Sequence, residues 1–339
     1  MDRYERQRRV GPDGARVDAK LAASTVLLVG VGGTGTPLAT ALVRAGVGSL
    51  IILDPDCVAE TDLARQTLYH SLDAERGAPK SDRAVAELER IGGRTRLEGH
   101  AVALTPRNSA DWISRADLVF DATDHLSARV WIDEACRAEG IPWIHLGAIE
   151  DRFVVIPFVA AGGPCFRCYA PETPPTSSLG TCETRGVFPA TTHLAAAHGF
   201  AAFWAWLLEV PVPSGSREVL RGRVGEAGVR ISTLNRDPEC PTCSIGSRGQ
   251  SASDSLRVIC GRNRLEGWAT IDRKTLLARL RGAEPWEIEE ESEVVRARRA
   301  DERLTYFSDG RVIYGPVRDL AEAERRVRAL ISPAPTGEK

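Results

Sequence analysis

The sequence predicts an α/β fold: a Rossmann-like, doubly wound, mostly parallel sheet, continued by antiparallel strands, braced by a structural zinc and followed by a small α+β C-terminal domain. Three observations carry this expectation. Thr25–Gly30 (TVLLVG) is an unbroken apolar run closed by glycine, the pattern of a strand covered on both faces. Similar apolar runs then alternate with helix-length segments as far as Gly147. Two CxxC pairs, Cys165–Cys168 and Cys240–Cys243, stand far apart in the chain and can clip its segments together.

The elements follow in order. Residues 1–24 are polar and charged. Thr25–Gly30 is the first strand, residues 34–45 a helix and Leu50–Asp54 the second strand. Residues Pro79 to Ile91 read as a helix with proline in its first turn. Asp117–Asp121 is a buried strand, 126–139 a helix and Pro142–Gly147 another strand. After Gly147, Arg152–Ala160 reads as an antiparallel strand. Residues 169–189, rich in Pro, Thr, Ser and Gly, predict a long mobile crossover loop. Residues 191–209, rich in Ala and Trp, predict a buried helix, and strands follow near 218–224 and 228–235. The Ser/Gly-rich 244–256 reads as linker. The expected domains are 1–248, a linker 249–256, an α+β unit 257–332 and a disordered tail 333–339. In the last unit, Leu304–Phe307 and Arg311–Tyr314 flank Ser308-Asp309-Gly310, a hairpin turn. Val317, Leu320, Val327 and Leu330 then mark one face of a helix over 317–331.

Composition narrows the function. Of 339 residues 43% are apolar, enough for a sizeable core. The net charge is only −2, which argues against nucleic acid as the main partner. No apolar run reaches membrane-span length, and the charged start lacks a signal-peptide core. These features lead us to expect a cytoplasmic protein. In that reducing setting eight cysteines suit metal or thiol chemistry better than disulfides.

Gly30-Val31-Gly32-Gly33-Thr34-Gly35 lies between a strand and a helix, where glycines let backbone N–H groups approach a phosphate. Asp54 ends the next strand, in place to bind ribose hydroxyls. This pair does not separate ATP from NAD. Arg65 and Asp124 follow strand ends and Lys80 opens a helix. Two cations and a carboxylate at the carboxyl edge of the sheet suit a triphosphate with Mg²⁺. The four thiols of Cys165, Cys168, Cys240 and Cys243 suit a closed structural zinc site. Cys182 lies in the predicted mobile loop, where a thiol can reach a partner. Cys57, Cys136 and Cys260 read as small packing residues.

Together these residues resemble the MoeB/ThiF/HesA family of adenylyltransferases, relatives of the adenylation domain of ubiquitin-activating enzymes. The resemblance runs from Arg3 to Cys243. It rests on Arg3-Tyr4-x-Arg6-Gln7, the Gly30–Gly35 loop, Asp54-x-Asp56, Arg65-Gln66, Gly77-x-Pro79-Lys80, Asp121-x-Thr123-Asp124, the CxxC pairs, and Thr181-Cys182 with Gly186-Val187. It implies that the Gly-Gly carboxylate of a small β-grasp carrier attacks the α-phosphorus of ATP, giving an acyl-adenylate and pyrophosphate. It places Gly30, Gly32, Gly33, Gly35, Asp54, Asp56, Arg65, Gln66, Lys80 and Asp124 around ATP. Asp54 would hold the ribose, Arg65 and Lys80 the phosphates, and Asp124 the magnesium. Arg6 would enter the neighbouring subunit's site, implying a homodimer. Cys182 matches a loop cysteine that forms a thioester or acyl-persulfide in some members.

The sequence departs from the family twice. Asp62 stands where asparagine is usual, which adds a repulsive carboxylate beside a triphosphate unless Mg²⁺ or Arg65 screens it. His125 likewise replaces a common asparagine. The unit at 257–332 resembles an extra domain of some bacterial members and not a sulfurtransferase. A sulfur carrier is the first choice of partner, with ubiquitin-like conjugation or a peptide C-terminus as alternatives. Two other readings compete: a NAD-dependent oxidoreductase using the same glycine loop, and a non-catalytic carrier-binding relative, which Asp62 favours.

Overall fold

A computed structural model describes residues 2–159, 162–171, 185–210, 216–226, 228–240, 242–243, 256–259, 264–282, 286–290, 294–307 and 310–332. Cys182, Cys260, Ser308-Asp309, the tail 333–339 and most of the expected crossover loop and linker lie outside these residues. The chain forms two compact units, one over 1–173 and 181–250 and the other mainly over 251–339.

The first unit is an eight-stranded sheet in the order β3-β2-β1-β4-β5-β6-β7-β8. Its parallel strands are β1 (Thr25–Val29), β2 (Ser49–Leu53), β3 (Arg96–His100), β4 (Leu118–Asp121) and β5 (Trp143–Ile149). The strands β6 (Arg152–Phe158), β7 (Ser216–Arg223) and β8 (Val229–Asn235) continue it antiparallel. The helices are α1 (Glu5–Arg8), α2 (Gly14–Ala23), α3 (Gly35–Ala45), α4 (Ser71–Arg76), α5 (Lys80–Ile91), α6 (Ser109–Ile113), α7 (Leu126–Glu139), α8 (Phe166–Tyr169) and α9 (Pro189–Leu207).

The apolar strands are doubly covered, as their sequences require. Val26, Leu28, Leu50, Ile52, Leu118 and Phe120 join one core with Leu38 and Leu42 of α3, Leu88 of α5 and Phe203 of α9. The alternating Leu27, Val29, Ile51, Leu53 and Val119 point the other way and are as deeply buried. Each such side chain contributes about 1.5–3 kcal/mol on leaving water. The expected α/β class is borne out.

Several elements differ from the sequence reading. The polar start folds into α1 and α2. The strand β3 was not expected, because Arg96-Leu97-Glu98-Gly99-His100 has only one large apolar side chain. Helix α9 is not wholly buried. Thr191, Ala195, Gly199, Phe203 and Leu207 face inward, while Leu194 is 37% exposed. The inward stripe is partly small for a steric reason: a Cβ at Gly199 would lie 2.5 Å from Leu146 Cδ2.

The second unit is a six-stranded antiparallel sheet in the order β11-β12-β13-β14-β10-β9. Its strands are β9 (Arg257–Ile259), β10 (Arg264–Trp268), β11 (Glu287–Glu290), β12 (Val294–Arg299), β13 (Glu302–Phe307) and β14 (Arg311–Gly315). Its helices are α10 (Arg273–Leu280) and α11 (Leu320–Ile331), packed around Leu265, Leu276, Val295, Leu304 and Val312. The inner face of α11 is Ala323, Val327 and Ile331, and Leu320, expected inside, is 46% exposed. The helix starts three residues later than expected, capped by Asp319, whose side chain accepts the Glu322 N–H. Among the described residues no helix is long and apolar enough to cross a membrane.

Candidate nucleotide site and cysteine cluster

The strand order reverses between β1 and β4, and in an open sheet such a point leaves a crevice at the carboxyl ends of the strands. The Gly30–Gly35 loop fills that edge. Gly30 has φ +90°, and a Cβ there would lie 2.8 Å from the Ala122 carbonyl oxygen. A Cβ at Gly35 would lie 2.3 Å from the Gly30 oxygen. These two glycines therefore allow the loops after β1 and β4 to meet at the start of α3. Gly32 and Gly33 face other groups. Their Cβ positions would lie 3.7 Å from Gln66 Nε2 and 3.6 Å from Arg65 Cδ, and a Cβ at Gly33 would also lie 3.1 Å from Thr192 Cγ2 of α9.

Asp54 is buried at the end of β2. Its Oδ2 accepts the Val31 N–H at 2.8 Å and its Oδ1 the Asp56 N–H at 2.9 Å. Burial first, then the Asp56 charge, pushes its pKa up to about 6. Tyr69 ties the same loop to α5: its hydroxyl donates to Val31 O at 2.8 Å and lies 3.2 Å from Lys80 O.

Lys80 follows Pro79 at the first position of α5 and is 7% exposed. Its Nζ lies 3.3 Å from Asp62 Oδ2 and 3.5 Å from Asp56 Oδ2. Burial pulls its pKa down, but the carboxylates of Asp54, Asp56 and Asp62 outweigh burial and hold it above the usual lysine range. Lys80 is thus a charged, buried cation. Asp62 also accepts from Gln66 Nε2 at 2.6 Å and from the Ala59 N–H at 3.1 Å, and it pairs with Arg65 at 3.4 Å.

Asp124 lies on the loop after β4, its side chain 45% exposed and 3.5 Å from His125 Nε2. That loop is anchored by Asp121, which the sequence reading gave no role of its own. Asp121 Oδ1 accepts the Thr123 N–H at 2.9 Å and the Thr123 hydroxyl at 2.6 Å. Its Oδ2 pairs with His145 Nδ1 at 2.6 Å and Arg129 Nε at 3.7 Å. Both partners of the Asp121–His145 pair are buried. Burial alone would raise Asp121, but the His145 bond and Arg129 hold it low, while burial lowers His145. The pair is therefore a carboxylate accepting the Nδ1–H of a neutral imidazole.

Around the loop, then, stand Gly30, Gly32, Gly33, Gly35, Asp54, Asp56, Arg65, Gln66 and Lys80, with Asp124 on the adjoining loop. Arg6 is not among them. It is exposed on α1, whose neighbour Tyr4 packs against Gly46 beyond the far end of α3. At 1.5 Å per residue, α3 separates that end from the glycine loop by about 16 Å. Tyr69, Asp121, His145 and Thr192 were missed as site residues. Only Asp121, at a strand end beside Asp124, carried a signal.

Cys165, Cys168, Cys240 and Cys243 have their sulfurs within 4.8 Å of one another. Sγ separations are 3.4 Å for Cys165–Cys240 and Cys168–Cys243, and 3.8 Å for Cys165–Cys168. Four thiolates at tetrahedral Zn–S distances stand about 3.8 Å apart, so the donor set fits such an ion. Burial pushes the Cys165 thiol far up, and a bound cation supplies the charge that would ionise it. The Asp237 N–H points at Cys168 Sγ, 3.4 Å away, as in an outer shell around a metal ligand.

The ThiF family model matches residues 4–242. Adenylyltransferase and sulfurtransferase MOCS3 of Sus scrofa is 32% identical over 81% of this chain, which spans 62% of that protein's length. Sulfur carrier protein adenylyltransferase of Thermus thermophilus is 33% identical, covering 77% of this chain and 97% of its own. Sulfur carrier protein ThiS adenylyltransferase of Bacillus subtilis is 28% identical over 95% of this chain and 97% of its own. Among solved structures, E. coli MccB with ATP has a TM-score of 0.61 at 22% identity, covering 71% of this chain and 74% of its own, which shows the shared fold. The chain belongs to the ThiF family.

Proposed function

We propose that this protein uses ATP to adenylate the C-terminal carboxylate of a small β-grasp carrier ending in Gly-Gly, with a sulfur carrier as its first partner. One observation carries the reading: Arg65 lies against a close-approach glycine loop at the carboxyl edge of the sheet, and Asp62 links it to the buried Lys80. A carrier carboxylate oxygen attacks the α-phosphorus, the bond to the β-phosphate bridging oxygen breaks, and pyrophosphate leaves. In this reading Asp54 and Asp56 flank the ribose, N–H groups near Gly32 and Gly33 approach the phosphates, and Gln66 lines the pocket. Lys80 and Arg65 offset the charge that builds on the phosphate oxygens. Asp124, half-exposed, offers the hard oxygen donor that Mg²⁺ prefers. Magnesium arriving with ATP would neutralise phosphate charge.

The remaining assignments belong to the same proposal. Zinc at the four cysteines is structural, since four protein ligands leave no open position. A cysteine-held metal suits a reducing, cytoplasmic setting. Residues 1–248 form the adenylation domain, with 257–332 appended after a linker. Arg6 serves the other subunit of a homodimer, which accords with its separation from its own glycine loop. Cys182, by the family resemblance, would be the thiol that receives the activated acyl group. The NAD reading shares the loop but gives buried Lys80 and Arg65 no purpose. The non-catalytic reading rested on an unscreened Asp62, and Asp62 is paired with both cations.

The test is exchange of labelled pyrophosphate into ATP. Exchange should require a Gly-Gly-ended carrier, and Asp124→Ala should abolish it while leaving the circular dichroism spectrum unchanged. Absence of exchange with every such carrier, together with tight NADH binding, would overturn the proposal.

A further inference from the structure

Asp62 is a buried carboxylate held between two cations, and the structure gives that placement a consequence. Asp62 is 6% exposed, and both of its oxygens are engaged. Oδ2 faces Lys80 Nζ and the Ala59 N–H, while Oδ1 faces Gln66 Nε2 and Arg65. A carboxylate only accepts hydrogen bonds, so Gln66 must turn its NH₂ toward Asp62. Its Oε1 is left buried without a partner among the described residues. An asparagine would offer one acceptor and one donor and would impose no such orientation. It would also leave Lys80 and Arg65 one counter-charge fewer. With Asp62 present, three carboxylates (Asp54, Asp56 and Asp62) act on Lys80, and Asp62 also pairs with Arg65, so three negative groups stand with two cations. The local charge is already negative before bare ATP brings several more negative charges.

We propose that Asp62 is a resident counter-ion that occupies the phosphate-binding cations of the empty site and makes nucleotide entry depend on a divalent cation carried by ATP. This rests on the ATP reading above. Asp62 acts through Lys80, Arg65 and Gln66, so it is a positioning residue. Like charge repels bare triphosphate, whereas the magnesium complex lowers the incoming charge enough to displace Asp62 from the two cations.

The experiment is ATP binding by calorimetry, with excess Mg²⁺ and in Mg²⁺-free buffer without chelator, so that the cysteine cluster keeps its metal. For the wild type, omitting Mg²⁺ should weaken binding about 30-fold or more, and for Asp62→Asn less than about fivefold. Bare ATP should bind Asp62→Asn about tenfold more tightly than wild type. A merely structural role would not make the variant bind better. Equal magnesium dependence in the two proteins, or weaker binding of bare ATP by Asp62→Asn, overturns the inference while tight MgATP binding leaves the ATP reading standing. No MgATP binding by the wild type overturns both. The wild type alone gives a second readout that does not need the variant to fold. Magnesium tripolyphosphate should compete with MgATP and bare tripolyphosphate should not; equal competition by the bare anion overturns the inference.

Discussion

Lys80 is a cation buried among three carboxylates, and its removal should show what that environment costs. Lys80→Met leaves Asp62 buried without its nearest cation and should destabilise the fold by about 3 kcal/mol. Adding Asp62→Asn should recover a large part of that loss, because the orphaned charge goes with it. Denaturant unfolding of the two single variants and the double variant measures the coupling, and strict additivity would contradict it. Asp54 gives a pH prediction. Its folded pKa of about 6 lies above the ordinary aspartate value, so the folded state holds its proton longer than the unfolded chain does. Its contribution to stability is thus full at low pH and is lost as pH rises through about 6. Wild-type stability should fall between about pH 4 and 6 relative to Asp54→Asn, and parallel unfolding curves would refute the assignment. Asp54 and Lys80 were legible in the sequence because each sits at a fixed step from a strand end or a proline. Tyr69 and His145 were not, since their partners Val31 and Asp121 are distant in the chain and only folding joins them.

At the scale of elements, the glycine loop works because β1, β4 and α3 meet without side chains between them. Gly35→Ala puts a methyl group 2.3 Å from a backbone oxygen that cannot move aside cheaply. It should cost about 1–3 kcal/mol and weaken ATP binding, measured by thermal unfolding and calorimetry. Unchanged stability and affinity would mean that the loop is looser than described. The strands β1, β2 and β4 were readable because strands buried on both faces have no polar interruptions. The strand β3 was unreadable for the opposite reason: it is an edge strand whose evidence is its backbone pairing with β2. Helix α9 was read as buried from its composition. Its inward face is instead selected by the fit of small residues against Leu146, which no average over the segment contains.

At the scale of the whole molecule, the two CxxC pairs join segments far apart in the first unit, and their spacing alone made the cluster legible. The purified protein should hold one zinc per chain, and Cys240→Ser should lower both metal content and unfolding temperature; full stability without metal would contradict a bracing role. The homodimer has its own test. Mixed Arg6→Ala and Lys80→Ala subunits should regain about a quarter of the wild-type activity if each site takes Arg6 from the other subunit. Silence of the mixture would confine Arg6 to its own chain. The central claim is attack by a carrier carboxylate on the α-phosphorus, and ¹⁸O tests it most directly. A carrier labelled with ¹⁸O in its C-terminal carboxylate, turned over with ATP and a thiol acceptor, should leave ¹⁸O in the released AMP. AMP formed without the label, with ¹⁸O retained in the carrier or found in pyrophosphate, would contradict the account.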